Sequence, residues 1–337
     1  MIDFDDGAAT SAGGLLPDTI VWTPEIERLN HFIIESLRMQ SRGCAVMGQQ
    51  CNGKSFATRY LMSLLPDSLG HTVAVVRWSI RAPGERSSRT ERTFLQERMI
   101  QSGCTAVAHR DLAVLWRRLV AHLTELAIAA GSRWIVIMVD EAQNLSFEEY
   151  NRLIHCFNCL EDLKVKPFFM LAGQPELANA TASWKETNGM QVIGRFFTRS
   201  YWFRGISLED VGLVLDAFDE PGRAGGRLGA ELMPQVAGTD WTMAAWAPQY
   251  QEALQTLMLK HQIAGGLRLP MQMLRSSLLL VLDRAIASKL DPRTISTATV
   301  LQALQDTGFT STLAYYVDLT FSSGEEGTGV AVTEGTA

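Results

Sequence analysis

The sequence predicts an α/β fold that is followed in the chain by an all-helical region. Short apolar stretches of strand length recur up to Gly205, amphipathic helical patterns separate them, and the strand pattern stops after this residue. Continuous apolar strands that alternate with helices are typical of a parallel sheet covered by helices on both faces. We therefore expect a parallel five-stranded sheet between helices and a C-terminal α-helical lid domain.

The predicted strands are mostly apolar segments, and they lie at 44–47, 72–78, 134–139, 168–172 and about 199–204. A strand with one solvated face would alternate polar and apolar residues. Most of these segments are nearly continuous in apolar residues instead, so the sheet is expected to be covered on both faces.

The first predicted helix begins after Thr23, which can cap it, with Pro24 in the first helical position. Apolar residues at helical spacing continue it to near Ser41. Before Gly205, further helices are expected at 54–65, ended by Pro66, around 91–130 and at 147–162. After Gly205, helices are expected at 207–219, 241–262, 267–289 and 296–307, with a loop at 220–229.

Length and composition suit a soluble protein with one large and one smaller domain. The chain has 337 residues, of which 47% are hydrophobic and 20% are charged. The predicted domains span 19–205 and 206–321, and the ends at 1–18 and 322–337 are expected to be disordered. The apolar runs are too short for a membrane helix, and the N-terminus lacks a basic signal region, so we expect a cytoplasmic protein.

The cysteines do not predict a disulfide framework, because their number, five, is odd and they are scattered through the predicted core elements. Cys156 and Cys159 form a CxxC pair within a helical pattern, but no second pair accompanies them. A structural zinc site takes four ligands, so buried small residues explain this pair better than a metal or redox site.

A phosphate-binding loop is predicted between the first strand and the helix that follows it. The segment Gly48–Ser55 matches GxxxxGK[ST] in full and stands in the strand–loop–helix context that the motif requires. Glycines let the backbone curl so that N–H groups face phosphate oxygens, and the helix N-terminus adds a positive dipole end. Lys54 would reach the β- and γ-phosphates of ATP, and Ser55 would offer a hydroxyl to Mg²⁺. The predicted nucleotide-binding residues are Gly48, Gln49, Gln50, Cys51, Asn52, Gly53, Lys54, Ser55 and Phe56.

Two adjacent carboxylates, Asp140 and Glu141, follow the third predicted strand. The carboxyl ends of parallel strands open into the crevice where ligands bind, and a charge there is costly without a partner. We expect Asp140 to hold Mg²⁺, directly or through water, and Glu141 to polarise the attacking water.

The motif segments resemble those of a known family. Asp140–Leu145 reads DEAQNL, and Leu171–Leu177, at the end of the next strand, reads LAGQPEL. With the phosphate loop, these segments are similar to the AAA+ ATPases of transposition systems, the TniB and TnsC type, and to the secretion ATPase ExeA. The resemblance spans about residues 20–310, although only the motifs are specific. The segment at 220–262 is longer and richer in tryptophan than the family's minimal lid.

The resemblance implies further site residues. Gln174 matches the sensor-1 position, although it could also be only a turn residue before Pro175. Arg195, or alternatively Arg199, would be an arginine finger that reaches the nucleotide of a neighbouring subunit, and either could instead be a surface arginine. Arg268 would be the sensor-2 arginine at the start of a lid helix.

DNA binding would need a local basic surface, because the net charge of the chain is −6. Residues 77–98 contain six arginines and three glutamates, and the resemblance places this region on the inner face of an assembly that tracks duplex DNA. The arginines expected to contact backbone phosphates, without reading sequence, are Arg81, Arg86, Arg89 and Arg92. A solvated helix with Glu/Arg pairs explains the same pattern equally well.

Two functions are therefore expected from the sequence. The first is an ATP-dependent transposition regulator, which forms a ring or helical filament on duplex DNA, passes the target chosen by a selector protein to a transposase, and disassembles on hydrolysis. The second is an ExeA-like ATPase that assembles or remodels a protein partner without DNA. An AAA+ fold alone does not decide between them.

Overall fold

The computed structural model describes residues 21–69, 73–82, 84, 90–179, 189–220 and 227–317. In this part of the chain five strands form one parallel sheet, which confirms the predicted fold class. The strands are β1 (Gly43–Met47), β2 (Ala74–Ser79), β3 (Trp134–Asp140), β4 (Lys166–Gly173) and β5 (Ser200–Trp202). Their spatial order is β2-β3-β4-β1-β5, so β4 lies between the strand before the phosphate loop and the strand before Glu141.

Helices cover the sheet and continue beyond it. Those packed around the sheet are α1 (Pro24–Arg38), α2 (Lys54–Leu69), α3 (Glu91–Gln101), α4 (Leu112–Ala129), α5 (Phe147–Asp162) and α6 (Met190–Phe196). Those after β5 are α7 (Val211–Asp219), α8 (Leu228–Leu232), α9 (Ala247–Lys260), α10 (Met271–Ala287) and α11 (Thr297–Asp306). The described residues contain no helix of the length and apolarity that crossing a membrane requires.

Each face of the sheet has its own hydrophobic core, which explains why the strands do not alternate polar and apolar residues. In β3, Ile135 and Ile137 pack into the core shared with α3, α4, α5 and α6. Their neighbours Val136 and Met138 pack on the opposite face with α1 and α2. Because successive strand residues point to opposite faces, a strand buried on both sides must be apolar throughout.

Several helix limits differ from the predicted ones. Helix α2 passes through Pro66 and ends at Leu69, so the predicted end at Pro66 is wrong, and the missing N–H of this proline removes only one hydrogen bond near the end of the helix. The stretch around 91–130 is two helices, because Gly103 (φ +85°) turns the chain and Asp111 caps α4 by accepting from the Ala113 N–H. Helices α6 and α8 were not predicted at all.

The largest correction concerns the start of α10, which begins at Met271 and not at 267. Leu267 and Leu269 are extended and form bridges to Val317 and Ile206. Pro270 then stands at the N-cap with φ −63° and ψ 141°. The residue before a proline is pushed towards extended conformations, so the helix cannot include Leu269.

The helices after β5 share a third hydrophobic core. Buried Asp219, at the end of α7, connects two segments of this helical region. The Asp219 carboxylate accepts from the Gly229 N–H at 2.6 Å and from the Met243 N–H at 3.0 Å. Arg227 Nη1 lies 3.7 Å from the same carboxylate. Asp219 therefore satisfies two backbone donors that would otherwise be buried without partners.

We expect Asp219→Ala to lower the free energy of unfolding by about 2 kcal/mol or more, because a buried donor left without an acceptor costs about 1–3 kcal/mol. Exposed Asp240 offers a matched control, and Asp240→Ala should stay within about 0.5 kcal/mol of the wild type. Urea denaturation followed by tryptophan fluorescence measures both. Equal midpoints for Asp219→Ala and the wild type would contradict this account of Asp219.

Candidate nucleotide site

The phosphate loop between β1 and α2 has a backbone that requires glycine at two positions. A Cβ on Gly48 would lie 2.1 Å from the carbonyl oxygen of Phe203, so only glycine fits there. Gly53 has φ +97°, in the left-handed region that glycine enters without strain. Cys51 has φ +62°, which is uncommon for a residue with a side chain. The loop is therefore curled tightly against the chain that leaves β5.

Lys54 lies at the first turn of α2 and folds back over the loop. Its Nζ donates to the carbonyl oxygens of Gly48 at 2.5 Å and of Gln49 at 2.7 Å. Burial lowers the pKa of Lys54, and the nearby carboxylates of Glu141 and Asp140 oppose that shift. A lysine held here supplies a positive charge close to the mouth of the loop.

The carboxylates predicted from the sequence lie together at the carboxyl end of β3. Asp140 is buried, and its Oδ2 lies 2.5 Å from Arg77 Nη2 of the neighbouring strand β2. Its Oδ1 accepts from the Glu141 N–H at 3.1 Å. Glu141 has φ +58°, and this left-handed turn lets its side chain line the same cavity as Lys54.

Three glutamines connect Glu141 to the phosphate loop. Gln143 Nε2 donates to Glu141 Oε2 at 2.6 Å, and Gln143 Oε1 accepts from the Gln174 N–H at 3.1 Å. Gln50 Nε2 in turn donates to Gln174 Oε1 at 2.9 Å. A Cβ on Gly173 would lie 2.7 Å from Gln143 Oε1, so a glycine at this position leaves room for the Gln143 amide. Sequence reasoning identified Gln174 and missed the connection through Gln143.

A cavity of about 600 Å³ opens between the phosphate loop and the helices after β5. Its volume lies in the range typical of small-molecule sites, about 300–1,000 Å³. Loop residues, Glu141 and Gln174 line one side. The apolar part of the lining consists of Val21, Ile26, Phe56, Phe203, Phe218 and Met271. This combination of a polar loop and an apolar wall suits a nucleotide, which has phosphates at one end and a base at the other.

The helical region contacts the phosphate loop directly. The Gln272 N–H, in the first turn of α10, donates to the Cys51 carbonyl at 3.2 Å. The Tyr316 hydroxyl donates to the Gln50 carbonyl at 3.2 Å. A change in the loop backbone would therefore alter these two hydrogen bonds to the helical region that closes the cavity.

Comparison with known proteins agrees with this geometry. Residues 37–180 match a family model described as an AAA domain. Among solved structures, the ORC2 protein of Aeropyrum pernix, in ADPNP–ADP complexes, is 14% identical with a TM-score of 0.58, and the match covers 87% of this chain and 70% of that chain. Cdc6p from Pyrobaculum aerophilum is 12% identical with a TM-score of 0.51, over 83% of this chain and 67% of that chain. The α/β part of the chain has the fold of an AAA domain.

These likenesses concern the fold alone, because identities are far below 25%. No curated protein matches the sequence. These comparisons support the AAA+ part of the predicted resemblance, and the finer resemblance to the TniB and TnsC type stays a prediction.

The arginines predicted around the AAA+ site differ in their positions. Arg268 lies in the extended segment before α10 and not among the cavity residues, whereas Arg275, one turn into α10, lines the cavity. Sequence reasoning missed Arg275 because it assumed that the helix begins before Arg268. Arg199 is engaged within the chain, since its Nη2 lies 2.5 Å from Glu35 Oε2. Arg195 donates to Asn158 Oδ1 at 3.0 Å and lies in a separate surface groove.

The other predicted nucleotide residues divide into two sets. Gln50, Cys51, Asn52, Gly53, Lys54, Ser55 and Phe56 line the cavity. Gly48 and Gln49 do not line it, and they contribute the carbonyl oxygens that hold Lys54. Asn52 Nδ2 donates to the Phe203 carbonyl at 3.3 Å, which ties the loop to the end of β5.

The basic segment at 77–98 is less available for DNA than its composition indicates. Arg77 is paired with Asp140, and Arg98 is buried with its guanidinium 5.5 Å from the Phe94 ring centroid. Both arginines therefore make contacts inside the fold and do not belong to an exposed basic surface. Arg81, with 84% of its side chain exposed, has its Nε 3.9 Å from Glu97 Oε1, and exposed Arg92 donates to the Arg110 carbonyl at 2.6 Å. Their contact with DNA stays a prediction. Arg86 and Arg89 lie outside the described residues.

The CxxC pair is consistent with a structural role. Burial raises the pKa of the Cys156 thiol, so it stays protonated and unreactive. Cys159 Sγ lies 3.6 Å from His155 Nε2 on the same helix. Within the described ranges no cluster of three or more His, Cys, Asp or Glu side chains could hold a metal ion.

We expect Arg275→Ala to weaken nucleotide binding about tenfold or more, because a hydrogen bond from a charged donor contributes about 1.5–3 kcal/mol. Arg268→Ala is the matched comparison and should leave the dissociation constant nearly unchanged. Titration with a fluorescent ATP analogue measures both variants. The reverse result, with Arg268→Ala weakening binding and Arg275→Ala neutral, would restore the original sensor-2 prediction.

Proposed function

We propose that the protein is an ATPase that binds ATP with Mg²⁺ in this cavity and uses hydrolysis to switch a homo-oligomeric assembly. The observation that carries the proposal is the convergence of Lys54, Ser55, Glu141 and Gln174 on one cavity that the helical region also touches. A site shared by a loop, a sheet edge and a packed helical region suits a conformational switch.

The residues present fit a magnesium site of the P-loop type. Magnesium is usually held by one or two protein groups together with phosphate oxygens and water, and the site offers the Ser55 hydroxyl and the buried Asp140 carboxylate. Ser55 and Asp140 would hold it. When bound, Mg²⁺ supplies charge neutralisation at the β- and γ-phosphates.

The chain's own groups have distinct roles in the proposed reaction. Lys54 would exchange its bonds to the loop carbonyls for phosphate oxygens. Glu141 would accept a hydrogen bond from the attacking water and orient it in line with the γ-phosphate. Gln174, at the end of β4, would contact the γ-phosphate, and Gln143 would hold Glu141 in its productive position. Arg275 would contact the phosphates from the helical region.

We further propose that the assembly forms on duplex DNA and regulates transposition by recruiting a transposase to a target chosen by a selector protein. The motif resemblance in Asp140–Leu145 and Leu171–Leu177 supports the transposition role. Exposed Arg81 and Arg92 support sequence-independent contacts to backbone phosphates. The net charge of −6 would confine such contacts to this local surface.

Gln143→Ala should lower kcat for ATP hydrolysis about tenfold or more while KM changes little. Gln143 is not itself among the cavity-lining residues and acts through Glu141, so its loss should affect the transition state more than ground-state binding. Steady-state ATPase assays measure the two constants. As a control, Gln302→Ala removes an exposed amide that contacts only Asp306 among its described hydrogen bonds, and it should leave both constants unchanged. A pure rise in KM for Gln143→Ala would contradict the positioning role.

Duplex DNA should stimulate the ATPase and promote ATP-dependent oligomers, and Arg81→Glu with Arg92→Glu should abolish both effects while nucleotide binding is retained. Every arginine that no longer neutralises a DNA phosphate should reduce the slope of log affinity against log salt by about 0.9. Fluorescence anisotropy over a salt series and negative-stain microscopy test this prediction, with Arg293→Glu as a control for a single charge reversal elsewhere on the surface. If the protein hydrolyses ATP but duplex DNA neither stimulates hydrolysis nor promotes oligomers, the alternative function, which acts on a protein partner without DNA, is favoured.

A further inference from the structure

A second cavity, of about 470 Å³, lies at the opposite end of the sheet from the nucleotide cavity. Arg42 stands immediately before β1, whereas Gly48 follows β1 directly. Arg195 lies in the last turn of α6, before the chain enters β5. We call this cavity the arginine groove, and its lining residues are Arg42, Asn158, Met190, Gln191, Gly194 and Arg195.

Two guanidinium groups of the arginine groove lie close to the same buried ring. The Cζ atoms of Arg42 and Arg195 lie 5.9 Å and 5.6 Å from the ring centroid of Phe157. The acceptor for Arg195 is the neutral amide of Asn158, and no carboxylate is among the lining residues. Buried Arg195 Nε has no hydrogen-bond partner among the described residues. Two cations that line one groove without an acidic neighbour in the lining make a site for an anion.

The position of the groove fits a second copy of this chain. The groove and the nucleotide cavity lie before and after the same strand, so they face opposite ends of the molecule. Identical subunits stacked head to tail would bring the groove of one against the cavity of the next, which is the heterologous contact that generates rings or filaments. Met190 at the groove is 62% exposed, and an exposed apolar side chain beside the cations suits a protein interface better than a DNA backbone.

We propose that Arg42 acts together with Arg195 as a pair of cations that contacts the nucleotide phosphates bound by the neighbouring subunit. This inference rests on the proposed function and adds Arg42 to it. Two planar guanidiniums can each form paired hydrogen bonds to phosphate oxygens, and they stabilise the negative charge of the transferring group. Both guanidiniums lie within 6 Å of the Phe157 ring centroid. Arg199 does not belong to the pair, because its guanidinium is bound to Glu35 and lies 5.0 Å from the Phe32 ring centroid.

The test uses the full chain with ATP and Mg²⁺ at concentrations that allow assembly. Arg42→Ala and Arg195→Ala should each lower kcat about tenfold or more, since arginines supplied in trans contribute large factors to phosphoryl transfer. Both variants should keep wild-type nucleotide affinity, because the groove lies away from their own cavity. Arg42→Lys should recover only part of the rate, as it keeps the charge and loses the planar fork. Exposed Arg38, at the end of α1, provides the control Arg38→Ala, which should behave as the wild type.

Mixing subunits distinguishes a contact in trans from an effect within one chain. Arg42→Ala keeps an intact cavity, and Glu141→Gln keeps an intact groove but cannot activate water. A mixture of the two should hydrolyse ATP faster than either variant alone, because some interfaces combine the intact cavity with the intact groove. The matched control replaces Glu141→Gln by the double variant Arg42→Ala/Glu141→Gln, and that mixture should show no recovery.

The outcomes separate this inference from the proposed function. If Arg42→Ala hydrolyses ATP as the wild type does while Arg195→Ala is defective, Arg42 is not part of the pair and the proposed function stands. If Arg42→Ala is defective and mixing brings no recovery, its effect is not exerted in trans and the inference is overturned. If the wild type neither hydrolyses ATP nor assembles with it, the proposed function itself fails, and this inference fails with it.

Discussion

A Cβ on Gly48 would lie 2.1 Å from the Phe203 carbonyl oxygen, and this close approach of two backbones positions much of the site. Phe203 N–H donates to the Met47 carbonyl at 2.6 Å, so the end of β5 is fastened to the end of β1. The Phe203 carbonyl also accepts from Asn52 inside the phosphate loop. Three residues later the chain reaches Ile206, which is bridged to Leu269 just before α10. The phosphate loop, the edge of the sheet and the helical region are thus joined through one short segment.

This connection gives the helical region two routes to the phosphate loop. One runs through the backbone from Phe203 to Leu269, and the other through the direct bonds of Gln272 and Tyr316 to the carbonyls of Cys51 and Gln50. Gln50 also contacts Gln174, which is linked through Gln143 to Glu141. In the proposed function, a phosphate that draws Gln174 away from Gln50 would therefore affect both the carboxylate that activates water and the helices above the cavity.

The parts of the site that the sequence predicts are those set by local chemistry. The phosphate loop needs glycines and a lysine at fixed spacing, and Asp140 and Glu141 end a strand whose apolar run is plain in the sequence. Arg77 and Arg275 were not predicted as site residues, because their positions depend on how distant elements pack. Arg77 meets Asp140 only because β2 lies beside β3, and Arg275 lines the cavity only because α10 begins after Pro270. In sequence, Arg77 and Arg98 look like members of a basic surface, and only the fold shows that they point inward.

The pairing of Arg77 with Asp140 also bears on how the proposed magnesium ion would be held. Asp140 is buried, so its charge needs partners, and it has them: Arg77 at Oδ2 and the Glu141 N–H at Oδ1. Both oxygens keep a second lone pair, but a direct bond to Mg²⁺ would place the metal close to the Arg77 guanidinium. Coulomb repulsion between the two cations disfavours that arrangement, whereas an intervening water increases their separation. Magnesium also gives up its water reluctantly. Of the two arrangements open from the sequence, contact through water is therefore the one that this ion pair favours.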